Sequence, residues 1–235
     1  MEKNSNNQIT NSSLITNPPL TRDQVIKDYT ERLDRIHAEF LKGLELIADN
    51  PKSVTFFGSA RFKPDTKWYE KTRQLAAAVS KETGYTIVSG GGPGVMEAAN
   101  RGAKDVNGKT IGYTIQLPHE QSNNPYLNDF RSFNYFFVRK MMLNYSAEAY
   151  IVCPGGFGTM DEFFGILTLV QTKKIPSVPI ILYGKAYWKP MIKFFRKYFL
   201  KKYKTISEED FNDFIVTDDT EKIIDIIKKA QLRAE

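Results

Sequence analysis

Two glycine-rich turns and two charged side chains carry the chemistry legible in this sequence. The turns are SGGGPG, Ser89 to Gly94, and PGGFGT, Pro154 to Thr159. Each follows a short apolar run and opens a helical pattern. Glycine lets the backbone come close to a ligand, and the helix behind the turn offers unpaired N–H groups and the positive end of its dipole. Such a turn suits a phosphate; the alternative is a tight strand-to-helix connection that holds nothing.

The charged pair is Arg139 and Glu162. Glu162 falls in the first turn of a helix expected over 159–172, and Arg139 in the first turn of one expected over 138–145. Both should face the edge that carries the glycine turns. An anion cradle, a carboxylate and a guanidinium in one place suit the cleavage of a phosphorylated sugar. Breaking a sugar C1′–N bond builds cationic charge on the ring and negative charge on the departing base, as in glycoside hydrolysis. A carboxylate steadies the first and orients water; a fixed guanidinium steadies the phosphate or the leaving group. The helix N-terminus should keep Glu162 ionised at neutral pH.

Blander readings stand beside these. Thr159 to Glu162 also fits a capping box, in which Glu162 bonds back to the Thr159 backbone. Arg139 could be an exposed helix charge with Lys140 beside it. Glu97 and Arg101, four residues apart, read as a helix pair rather than a catalytic one.

Other chemistries fail on spacing. Neither turn carries the Lys-Ser/Thr of a P-loop, and GxGxxG is absent, so ATP and NAD are disfavoured. No His, Cys and carboxylate spacing matches a metal site. Ser59 and Ser89 lack a neighbouring base for a triad, and His119 is at best a loop residue over the ligand. Basic and aromatic side chains interleave from Lys185 to Lys204 without an acidic one. This could bind nucleic acid, but a solvated lysine face opposite a packed aromatic face is the better account.

These groups need a scaffold, and 235 residues with 41% hydrophobic content can bury one α/β core. Strands are expected at 54–57, 86–88, 110–115, 149–152, 180–183 and 214–216, with a further short one at 133–136. Helices are expected at 21–50, 67–81, 94–106, 138–145, 159–172, 187–201 and 220–231. Such alternation, with near-continuous apolar strands, predicts a Rossmann-like, doubly wound parallel sheet with an extra N-terminal helix. The turns after the strands at 54–57 (Gly58-Ser59-Ala60), 86–88 and 149–152 then share the carboxyl edge, where open α/β sheets bind ligands. Residues 116–131 contain Pro118 and Pro125 and read as a loop over the site.

Residues 1–20 read as a flexible polar tail, followed by a single domain over 21–235. The net charge of +6 is compatible with nucleic acid, an anionic membrane or a phosphorylated substrate. No signal-like apolar stretch and no membrane-length segment is visible, and the lone Cys153 has no disulfide partner. A soluble cytoplasmic protein is expected. The apolar surface of the first helix and of 187–199 exceeds what one sheet face absorbs, which predicts a homodimer or larger assembly.

The motifs FFVRKMM, Phe136 to Met142, and PGGFGTMDE, Pro154 to Glu162, resemble the RKxxM and PGGxGTxxE pair of the LONELY GUY (LOG) family. FFGSAR (Phe56 to Arg61) and SGGGPGVMEAANRGA (Ser89 to Ala103) are similar to the same family. Its members are cytokinin riboside 5′-monophosphate phosphoribohydrolases and AMP-nucleosidase-like relatives, often labelled lysine decarboxylases. The resemblance implies a Rossmann-like dimer that splits a nucleoside 5′-monophosphate into free base and ribose 5-phosphate, without metal or organic cofactor. By motif position it makes Arg139 and Glu162 catalytic, has Gly155, Gly156, Gly158 and Thr159 hold phosphate, and has Ser59, Gly91 and Gly92 line the pocket. Lys140, Glu97 and His119 are secondary candidates. Phe137-Val138 stand where the plant-type pattern has Met-His, which looks like a larger bacterial subgroup. A non-catalytic carrier of a phosphorylated heterocycle, such as molybdenum cofactor, is the competing function.

Overall fold

A computed structural model describes residues 21–116 and 123–230. The expected tail, 1–20, and His119 lie outside the described residues. The chain divides into two compact units, 1–37 and 38–235. The first contributes the opening turns of helix α1 (Arg22–Ala48); its Ile26, Tyr29 and Leu33 are exposed.

The second unit is a seven-stranded parallel sheet in the order β4-β3-β2-β1-β5-β6-β7. Its strands are β1 (Ser53–Phe57), β2 (Thr86–Ser89), β3 (Thr110–Ile115), β4 (Asp129–Phe133), β5 (Ala149–Val152), β6 (Ile180–Tyr183) and β7 (Ile215–Thr217). Strands β1, β2, β5 and β6 are buried along their whole length, which is why they read as unbroken apolar or small-residue runs. Helices α2 (Lys67–Thr83), α3 (Val95–Asp105) and α7 (Thr220–Lys229) pack on one face. There Leu75, Val79, Ala99, Ile223 and Ile227 meet Val54, Phe56, Ile87 and Ile151. Right-handed crossovers place α4 (Phe136–Tyr145), α5 (Phe157–Gln171) and α6 (Lys185–Phe194) on the other face. Among the described residues, no helix is long and apolar enough to cross a membrane.

Three expectations are corrected. The strand expected at 133–136 lies at Asp129–Phe133, and Phe136 already belongs to α4. As a sheet-edge strand, β4 alternates exposed and part-buried residues before Phe133, so its signal is a polar alternation rather than an apolar run. Residues 129–131 therefore leave the expected loop. The helix expected over 187–201 is α6 followed by a π-helical stretch, Phe195–Lys202, whose i→i+5 winding departs from the 3.6-residue period on which the expectation rests. Finally, α5 begins at Phe157, two residues before the expected start.

Candidate active site

Strand β1 lies between β2 and β5, and from it the chain winds first toward β4 and then back toward β7. This reversal is the switch point at which parallel sheets leave a crevice outside their carboxyl ends. The three small-residue turns all leave the sheet here, after β1, β2 and β5. They are stitched together: Ser59 N–H donates to Pro154 O (3.1 Å), and Val95 N–H donates to Ser59 O (2.9 Å). Gly94, the residue that opens α3, has φ of +71°, and a Cβ there would collide with the Ser59 carbonyl. Glycine at this position is required by both backbone conformation and space.

A buried polar network fixes the first glycine turn from beneath. Ser89 Oγ donates to Asn100 Oδ1 (2.7 Å) and accepts from Gly91 N (2.9 Å), while Asn100 Nδ2 bonds Thr110 Oγ1. Asn124 closes the network: its side-chain amide donates to Asn100 Oδ1 (2.9 Å) and Gly92 O (3.0 Å), and its N–H donates to Gly91 O (2.9 Å). Both backbone polar groups of Gly91 thus serve this network, so Gly91 shapes the turn from within. Sequence reasoning missed Asn124. Its only local signal is an Asn-Asn-Pro run, which also marks an ordinary turn.

The second turn is anchored from α6, where the Tyr187 hydroxyl donates to Gly155 O (2.6 Å). Gly155 is pressed against the Thr159 side chain with no space for a Cβ. Gly156 is the N-cap of α5, and Gly158 and Thr159 lie in its first turn, so this turn presents the α5 N-terminus.

Arg139 reaches across to the first turn. Its Nε donates to Tyr113 O on β3 (2.8 Å), and its guanidinium lies against Gly90. It is part-buried, not the fully exposed helix charge that its neighbourhood in sequence allows. A niche of about 40 Å³ beside it is lined by Gly90, Gly92, Met96, Thr114, Ile115, Asn123 and Arg139. Burial lowers the Arg139 pKa, and the charge of Glu162 works against that shift.

Glu162 is corrected twice. Because α5 starts at Phe157, Glu162 lies in its second turn and Thr159 is inside the helix, so no capping box forms. Among the described residues, Glu162 Oε2 is instead buried and meets no hydrogen-bond partner. Nor is its carboxyl securely ionised at neutral pH: burial raises its pKa to about 7 despite the attraction of Arg139 and Lys140. Desolvation outweighs the helix dipole, whose influence fades beyond the first turn.

Lys140 turns away from Arg139 to α5. Its Nζ bonds Asp161 at Oδ1 (2.7 Å) and at the carbonyl (3.0 Å), and its chain passes over Gly165. Glu97 accepts the Tyr69 hydroxyl proton (2.7 Å). The hydroxyl of this buried tyrosine is pushed up to about 12, first by burial and then by that bond. Glu97 thus joins α3 to α2. A wider cavity, about 690 Å³, lies by the segments entering β6 and β7, lined by Lys173, Lys174, Glu209, Asp210 and Asp213 among others. It is at the amino edge of the sheet and does not include the residues above.

A family model described as "possible lysine decarboxylase" matches residues 96–227. That is more than half of the chain, and the chain belongs to this family, the LOG family that its motifs resemble. One relative is the cytokinin riboside 5′-monophosphate phosphoribohydrolase of Rhodococcoides fascians, 24% identical over 148 residues, or 61% of this chain and 74% of the relative. Among solved structures, the molybdenum cofactor binding protein of Rippkaea orientalis superposes with a TM-score of 0.57 at 23% identity, covering 75% of this chain and 95% of that one. The molybdenum cofactor carrier protein of Chlamydomonas reinhardtii gives 0.56 at 20%, covering 76% and 98%. These two likenesses establish the shared Rossmann-like fold.

Proposed function

We propose that the chain hydrolyses the N-glycosidic bond of a purine-type nucleoside 5′-monophosphate, AMP or a cytokinin riboside monophosphate, releasing free base and ribose 5-phosphate. The observation that carries this reading is a buried carboxyl with an unpartnered oxygen, Glu162, in the electrostatic field of Arg139 at the sheet's switch point. Family membership and the activity named for the Rhodococcoides relative support it.

The 5′-phosphate takes the turn at the start of α5, from Gly155 through Gly156 and Gly158 to Thr159, where N–H groups and the helix dipole favour an anion. Ser59 and Gly92 border the ribose and base. As the C1′–N bond lengthens, its electron pair leaves with the base. The Glu162 carboxylate steadies the cationic C1′ and takes a proton from the water that attacks it, while Arg139 steadies the phosphate or the departing base. The departing base ends protonated, so the products balance as base and ribose 5-phosphate. A pKa near 7 suits a group that must accept a proton and pass it on. The family description invites a Schiff-base role for a lysine, but the Lys140 amine is engaged by Asp161 at 2.7 Å on α5 and turned away from Arg139. We further propose that the chain works as a homodimer or larger assembly.

The test is incubation with a panel of nucleoside 5′-monophosphates followed by chromatography for free base. Release from AMP or a prenylated analogue is expected. Tight binding with release from none would replace this reading with that of a carrier for a phosphorylated heterocycle.

A further inference from the structure

The first N–H groups of any helix need partners from outside it. At α4, the helix that carries Arg139, the N-cap is Tyr135, whose side chain makes no capping bond. The backbone N–H groups of this N-cap residue and of the residue before it find their acceptor far away in sequence. Glu39, on α1 and only 8% exposed, accepts from Asn134 N (2.9 Å) and Asn134 Nδ2 (2.7 Å) at Oε1, and from Tyr135 N (3.3 Å) at Oε2. An anion at a helix N-terminus is also favoured by the dipole.

Tyr135 is gripped from its other side by Arg139 itself, whose backbone N–H donates to Tyr135 O (3.1 Å). Glu39, Tyr135 and Arg139 therefore form one chain of contacts. One helical turn further along α1, Gly43 lies against Met142 and Phe133 with no room for a side chain, so α1 and α4 meet backbone to side chain and cannot slide without a clash. At its far end Arg139 is held by the Nε bond to Tyr113 O.

We propose that Glu39 is a positioning residue for Arg139, acting through Tyr135 to hold the first turn of α4 against the glycine turn. The proposal rests on the reading that Arg139 meets the substrate. Without Glu39 the first turn of α4 frays, and the guanidinium loses its angle even though the fold persists.

The experiment uses the full chain with Glu39→Ala, Glu39→Gln and Arg139→Ala. The first readout is solvent exchange of the Arg139 Nε–H by ¹⁵N NMR, its signal assigned by its loss in Arg139→Ala. Exchange should speed by about tenfold or more in Glu39→Ala, as expected for local opening of one turn. Glu39→Gln, which keeps one acceptor oxygen, should lie between and serves alone if the alanine variant does not fold. The second readout is AMP cleavage. Glu39→Ala should lower kcat by about 10–100-fold, the scale of a group misplaced by roughly 1 Å, but by less than about threefold in the Arg139→Ala background, because both changes remove one function. Unchanged Nε–H exchange in a folded Glu39 variant, or an equal loss of rate in both backgrounds, would overturn the proposal. If wild type cleaves no nucleotide, the functional reading fails, while the exchange measurement still decides the role of Glu39.

Discussion

Gly90 and Arg139 share one space: the guanidinium lies where a Cβ on Gly90 would stand, and Met96 Sδ is 2.8 Å from the same point. The first glycine turn is thus the seat of the arginine as well as a wall of the site. The φ of Gly90 is not in the left-handed region, so space and not backbone conformation fixes its identity.

Gly90→Ala should therefore act on activity far more than on folding. A displaced guanidinium should lower kcat/KM for AMP by about 10²-fold, while the melting temperature moves by only a few degrees. Steady-state kinetics beside a thermal melt check this; unchanged kinetics would mean that Arg139 is not needed where it lies.

Glu162→Gln separates chemistry from stability. Loss of the charge should slow cleavage by roughly 10²–10⁴-fold, the usual scale for a general base. Stability should move the other way. The carboxyl titrates near 7 when folded but near its ordinary 4.5 when unfolded, so the folded state holds the proton longer. Unfolding therefore becomes easier as pH rises from about 4.5 to about 7, and the cost is complete above that, at most about 3 kcal/mol. The glutamine variant should gain stability over wild type across that window, as melts at pH 5 and pH 8 can show.

The pH profile follows from the same group. Since the carboxylate is the working form, log kcat/KM for AMP should rise with pH and level off near 7. The substrate phosphate also titrates, near pH 6, so the comparison with Glu162→Gln identifies the limb. An acid limb near 7 that survives in the variant would assign it to another group.

How far the sequence reveals this arrangement depends on the range of each interaction. Strands β1, β2, β5 and β6 are legible because both faces are buried, and the glycine turns because a glycine run marks a turn by residue type alone. The start of α5 is not: Thr159 through Glu162 satisfies a capping pattern, and only the tertiary setting shows the helix beginning at Phe157. The raised pKa of Glu162 is hidden for a related reason, since the dipole can be read from position and burial cannot. Glu39 and Asn124 act across 95 and 32 residues respectively; no local pattern announces either.

Apolar exposure argues for self-association. On α1 of the larger unit, Leu41 and Leu44 are 49% and 46% exposed, and α6 leaves Phe194 exposed as well. Light scattering at micromolar concentration should give at least twice the chain mass of 26.9 kDa. Replacing both leucines with glutamate should shift it toward monomer. A wild-type monomer would count against the assembly.

The central claim, hydrolysis of a phosphorylated nucleoside at the Arg139 and Glu162 site, is tested most directly by one paired assay. Wild type and Glu162→Gln are each given AMP and adenosine, and adenine and ribose 5-phosphate are quantified over time. Adenine and ribose 5-phosphate should appear in equal amounts from AMP with wild type, hardly any adenine from adenosine, and neither product at a comparable rate with the variant. Equal rates on adenosine and AMP, or near-normal turnover by a folded Glu162→Gln protein, would contradict it.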